Sequence, residues 1–148
     1  MDLSLSEEQR LLEQSVREWG AREVAPYIRE NDRNHHFDRE RILGGMAKLG
    51  LLGISVPQEY GGPGGNLTMV CLAREEISRH SEACGLLAGE TTMFVLPLMH
   101  FGTEEQKKRF LPIVAEGRAL TAIALSEPEA GSDVSAIRTR AVRDGDHY

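Results

Sequence analysis

The chain has 148 residues, 41% hydrophobic and 27% charged, the balance of a folded domain with its own core and not of a disordered tail. Seventeen Lys and Arg against twenty-three Asp and Glu give a net charge of -6, which argues against nucleic acid or an anionic membrane as partner, since attraction to phosphate would have to be wholly local. The opening Met1-Asp2-Leu3-Ser4 carries neither an apolar leader nor an Arg-rich presequence, and no apolar run approaches a bilayer span, so no membrane insertion and a cytoplasmic, bacterial setting are expected.

In chain order, Ser6-Glu7-Glu8-Gln9 has the pattern of a capping box, and Leu12, Val16 and Trp19 recur behind it at helical spacing, predicting a first helix to about Ala25. Pro26 allows a kink or a restart, and the polar stretch from Arg29 to His36 reads as a link. Asp38 can cap a second helix carrying Ile42, Met46 and Leu49 on one face and ending at Gly50 or Gly53. The glycine cluster Gly61-Gly62-Pro63-Gly64-Gly65 lacks both the Gly-x-Gly-x-x-Gly spacing and a following Lys-Ser or Lys-Thr, so it reads as a connector and not as a phosphate loop.

Beyond Asn66, Val70, Ala73 and Ile77 share a helical face, with Arg74, Glu75 and Arg79 turned outward. Ser81 starts another element, whose segment from Ala83 to Met99 is nearly uncharged apart from Glu90 and is expected to be the buried central helix. Thr103-Glu104-Glu105-Gln106 repeats the capping-box pattern and opens a helix that Pro112 interrupts and Gly117 closes. Cys71 and Cys84 lie in helical segments without a Cys-x-x-Cys pair and are expected as reduced, buried thiols. His80 and Cys84 have i, i+4 spacing, but no third ligand follows, so no metal is expected.

The last region differs in kind. Leu120-Thr121-Ala122-Ile123-Ala124-Leu125 has the length and composition of a buried strand, and Pro128 with Gly131 breaks it into a turn. Ala130 and Gly131 carry little side chain, so their amides can approach an anion, the Ser132 hydroxyl adds a donor, and Asp133 can fix the turn through nearby amides. Thr139 to Val142 alternates like a strand, and Asp144-Gly145 is a hairpin turn signal whose partner strand barely begins before Tyr148.

The segment from Leu125 to Asp133 resembles the flavin-binding signature of the acyl-CoA dehydrogenase family. Three more blocks fit in order: Leu49 to Ile54 with Val56 to Gly62, Phe101 to Lys107, and Phe110-Leu111-Pro112 before Gly117. The resemblance implies a mainly α chain: an N-terminal helical domain of about six helices over residues 1–119, then the first strands of a truncated β-domain over 120–148. It also implies FAD as cofactor, an acyl-CoA substrate, possibly electron-transferring flavoprotein as partner, and a homo-oligomer, dimer or tetramer, when complete.

By motif position, Ile123, Leu125 and Ser126 would lie beside the flavin, although core packing explains Ile123 equally well. Gly131 and Ser132 would meet the pyrophosphate and the acyl-CoA chain. The helix after Ser81 corresponds to the one lining the family's acyl pocket, and Gly85, Gly89 and Met93 form an i, i+4, i+8 stripe on it. Facing the acyl tail, that stripe would leave room for a long or bulky group; close helix packing is the alternative use of the two glycines. Apolar docking of an electron-transferring flavoprotein would fall around Leu51 to Gly65, where Leu51 fits. Glu127 and Glu129 belong to the turn and are not expected to be the catalytic base, which the family places in a C-terminal bundle outside this chain. An acyl-CoA oxidase or flavin monooxygenase on the same scaffold, or a non-catalytic helical partner subunit, are the alternative readings.

Overall fold

The computed structural model describes residues 4–148, the Glu90 side chain excepted; Met1 to Leu3 of the opening segment lie outside the described residues. Among these, six α-helices follow in order: α1 (Glu7–Trp19), α2 (Ile28–Arg33), α3 (Arg39–Lys48), α4 (Leu67–Ser78), α5 (Glu82–Phe101) and α6 (Glu104–Ala115). Both predicted capping boxes form. Ser6 and Thr103 accept the amides of Gln9 and Gln106, whose side chains return bonds to the cap amides. Asp38, Asn66 and Ser81 cap α3, α4 and α5 through their side chains.

The predicted first helix is α1 followed by a π-helical turn, Gly20–Val24, so the α-hydrogen-bonding ends at Trp19 and not at Ala25. The expected link at 29–36 is instead α2, a helix with no buried residue and therefore no apolar period to betray it. It ends in a Schellman motif: His35, at φ 50, donates to Asp32, and His36 donates to Asn31 at 2.8 Å. Pro112 does not interrupt α6, which runs on to Ala115 and closes the same way at Gly117, where φ 67 suits glycine.

Two apolar clusters make the core. Val16, Trp19, Ile42, Met46, Leu51, Leu52, Ile77, Cys84 and Ala88 belong to one; Val56, Tyr60, Val95, Leu111 and Val114 belong to the other. α5 contributes to both and joins them. It is not buried all round as expected: Leu86, Leu96 and Phe101 are exposed, the last at 89%. By length and composition α5 is long and apolar enough to cross a bilayer, contrary to the expectation that no apolar run approaches that length, but here it packs between α4 and α6. Cys84 is buried as predicted and Cys71 is exposed.

Among the described residues one charge is taken inside. Glu76 on α4 is 2% exposed, accepting Arg17 Nε at 2.9 Å and Nη2 at 3.0 Å from α1, with Arg79 Nε at 3.3 Å. The Arg17 hydrogen bond outweighs burial and, with the charges of Arg17, Arg79 and His80, holds the Glu76 carboxyl below the usual carboxylate range. A lowered folded-state pKa stabilises the fold above the unfolded pKa, and that share is lost as pH falls through the lowered value. Glu76→Gln is therefore expected to cost about 2 kcal/mol in urea unfolding at neutral pH, with the gap from wild type closing on acidification below the carboxylate range; an equal stability of the two proteins at pH 7 would show that the pair contributes nothing.

Candidate functional site

The extended segment after Gly117 crosses the open face of α5. Met93, Phe94, Pro97, Leu98 and Phe101 of α5, Gln106 of α6 and residues Ala122, Ile123 and Ala124 enclose a groove of about 470 Å³. Pro97 has no amide to donate to the Met93 carbonyl, so the helix ladder is broken on the turn that lines this groove. Met93, expected on the acyl-facing stripe, and Ile123, expected beside the flavin, share a wall of this groove, and both are 48% exposed.

The predicted strand does not form among the described residues. Residues 120–125 carry no regular structure and Leu120, Ile123 and Leu125 are exposed, because no strand among the described residues pairs with them. The turns at either end do form. Glu127 and Ala130 exchange backbone bonds of 2.8 and 3.2 Å, and Asp144 and His147 bonds of 2.8 and 3.1 Å. Ala130 is buried under the turn, while Ser126, Gly131 and Ser132 are exposed beyond it.

Gly131 has the clearest geometry for holding a ligand. Its φ is not in the left-handed region, and a Cβ added there would meet nothing within 4 Å. Neither the turn nor a described neighbour fills the space beside Gly131, so a group from outside has room to approach its backbone. The hydroxyls of Ser126 and Ser132 make no bond within the described residues and stand free to donate. Nearby, Thr121 Oγ1 is buried without a hydrogen-bond partner. Asp133 does what the turn chemistry predicts, its Oδ1 accepting Ser135 N at 3.2 Å and Ser135 Oγ at 2.5 Å. Small residues, free hydroxyl and amide donors and an adjoining apolar groove fit a phosphate-bearing ligand with a flat or aliphatic part.

Two of the predicted residues lie elsewhere. A Cβ on Gly85 would run into Ser78 Oγ and approach the Arg74 carbonyl at 3.3 Å, and one on Gly89 would come within 2.9 Å of Arg74 Nη1. Both glycines therefore face α4, and the room they leave is already filled; only Met93 of the stripe reaches the groove. The i, i+4 spacing is a property of one helix and carried no information about which neighbour it faced. Leu51, assigned to a docking surface, is fully buried.

Sequence reasoning passed over Phe94, Leu98 and Phe101, whose spacing along α5 was a usable signal, and Glu127, whose role was not. The Glu127 carboxylate accepts Arg138 N and Thr139 N, each at 2.8 Å, and the Thr139 side chain together with these two amides holds it below the usual carboxylate range. A carboxylate so engaged is fixed to the loop and is poorly placed to take a proton from a substrate.

A family model described as the acyl-CoA dehydrogenase N-terminal domain matches residues 6–118. The chain is 38% identical over 149 aligned residues to the probable acyl-CoA dehydrogenase YngJ of Bacillus subtilis, covering 100% of this chain and 39% of that protein. Among solved structures, butyryl-CoA dehydrogenase from Megasphaera elsdenii superposes with a TM-score of 0.90 at 31% identity, over 99% of this chain and 39% of that one. A chain in a structure described as the electron transferring flavoprotein of Acidaminococcus fermentans gives a TM-score of 0.88 at 38% identity, over 99% and 38%. This chain thus spans about 39% of the length of such relatives.

The packing of Gly85 is open to direct test. Gly85→Val should lower unfolding stability by about 2 kcal/mol because α4 and α5 must separate; if that variant melts with the wild type, the glycine does not serve helix packing.

Proposed function

The chain belongs to the acyl-CoA dehydrogenase family, and on that premise we propose that it is the N-terminal portion of an FAD-dependent acyl-CoA dehydrogenase, a helical domain over 1–119 followed by the opening of a second domain over 120–148. The whole enzyme would remove the α-proton and β-hydride of an acyl-CoA thioester, giving a trans-2-enoyl-CoA. FAD, when bound, supplies the acceptor for the hydride. The observation that carries this reading is the open, donor-rich turn at Gly131 and Ser132, which follows in the chain on the segment 122–124 that lines the apolar groove of α5.

Within that reading, Ser126 donates its hydroxyl to the edge of the flavin ring, while Gly131 and Ser132 offer an amide and a hydroxyl to its pyrophosphate and to the acyl-CoA nearby. Ile123 and Leu125 cover the ring's apolar surface, and Met93 with the α5 side chains around it keeps water from the acyl end, which strengthens hydrogen bonds made to the thioester. Glu127 remains bonded to its own loop, so the base comes from residues outside this chain. With Gly85 and Gly89 turned to α4, the case for an unusually deep acyl pocket loses its basis.

Electron-transferring flavoprotein is the partner this reading favours, supported by the similarity to the Acidaminococcus fermentans structure. Leu51 is buried and so does not supply the apolar contact of that docking.

Calorimetric titration of FAD and acyl-CoA into this chain and into the longest natural chain carrying this sequence tests the assignment. The longer chain should bind FAD and bleach it with acyl-CoA, this chain should bind it weakly, and Ser126→Ala or Ser132→Ala in the longer chain should each weaken FAD by about 5-fold, one hydrogen bond's worth. Tight FAD binding by the 148 residues alone would overturn the view that the site needs further domains.

A further inference from the structure

The loop from Glu127 to Thr139 carries Gly131 and Ser132 but contains little regular structure, only a 3₁₀ turn at Val134–Ala136. Two closures hold it. Glu127 closes the short one with its backbone, through Ala130, and the long one with its side chain, which spans 11 and 12 residues to Arg138 N and Thr139 N at 2.8 Å each. A second link across the long closure, Glu129 Oε2 to Arg138 Nη1 at 2.9 Å, joins two exposed side chains and is of the kind that contributes least.

We propose that Glu127 is a positioning residue of the flavin site, its carboxylate setting the curvature of residues 128–137 that presents Gly131 and Ser132 to the cofactor. The inference rests on the flavin-site reading above. Its chemistry is specific to two equivalent acceptors. Each carboxylate oxygen takes one amide, whereas the amide group of glutamine offers one oxygen and turns an N-H toward the second backbone N-H. Glu127→Gln therefore loses one charge-assisted bond and gains a donor facing a donor. Arg138→Ala, in contrast, removes the Glu129 ion pair but keeps the Arg138 amide that Glu127 holds.

The test uses the longest natural chain carrying this sequence, stripped of flavin. FAD dissociation constants from flavin fluorescence and hydrogen exchange of peptides spanning 128–139 are measured for wild type, Glu127→Gln and Arg138→Ala. Glu127→Gln should weaken FAD by about 10-fold or more and speed exchange in that loop, with exchange in α1 and α4 unchanged, while Arg138→Ala stays within about 2-fold of wild type on the surface-pair argument. Wild-type FAD affinity and loop exchange in Glu127→Gln would overturn the inference and leave the flavin site standing. Equal losses in both variants would move the role to the ion pair and also overturn it. Failure of the wild type to bind FAD would instead overturn the proposed function.

Discussion

Close approach of α4 and α5 is the constraint on which the other placements depend. Gly85 and Gly89 remove two side chains from the α5 face that meets α4, and the Ser78 and Arg74 side chains of α4 occupy the space they leave. Seated there, α5 places Cys84 and Ala88 in one core cluster and Val95 in the other, and turns Met93, Pro97 and Phe101 toward the segment that follows α6. The groove exists because α4 and α6, which flank α5, leave one of its faces uncovered. A helix buried all round would have offered no wall to a ligand.

The buried carboxylate of Glu76 ties α1 to the same α4. Left alone, a charge with 2% exposure would be strongly unfavourable; two bonds from Arg17 and one contact from Arg79 offset that cost and fix the register of α1 over α4. Cores of apolar side chains tolerate small slips, whereas a bidentate pair does not. The pair thus adds position to what the apolar contacts add in energy.

Past Gly117 the physics changes. The helical part satisfies its backbone within itself, while residues 120–125 present amides and carbonyls that no strand in this chain accepts. Order there comes from side chains acting as local braces: Asp133 on Ser135, Glu129 on Arg138, and above all Glu127 on two amides. This is how a loop with exposed Ser126 and Ser132 keeps a shape without a sheet beneath it.

The helices other than α2, their caps and the glycine stops were legible because each depends on groups within about four residues: Ser6 with Gln9, Thr103 with Gln106, Gly117 with Val114. The turn at Glu127 to Ala130 and the family to which its residues point were legible for the same reason. What the stripe on α5 faces, that Leu51 lies inside, that Glu76 meets Arg17 fifty-nine residues away and that Glu127 closes a loop were decided only by the tertiary structure. Local pattern specifies which face of an element is apolar or small; which neighbour covers that face depends on contacts between distant segments, and these carry no period along the chain.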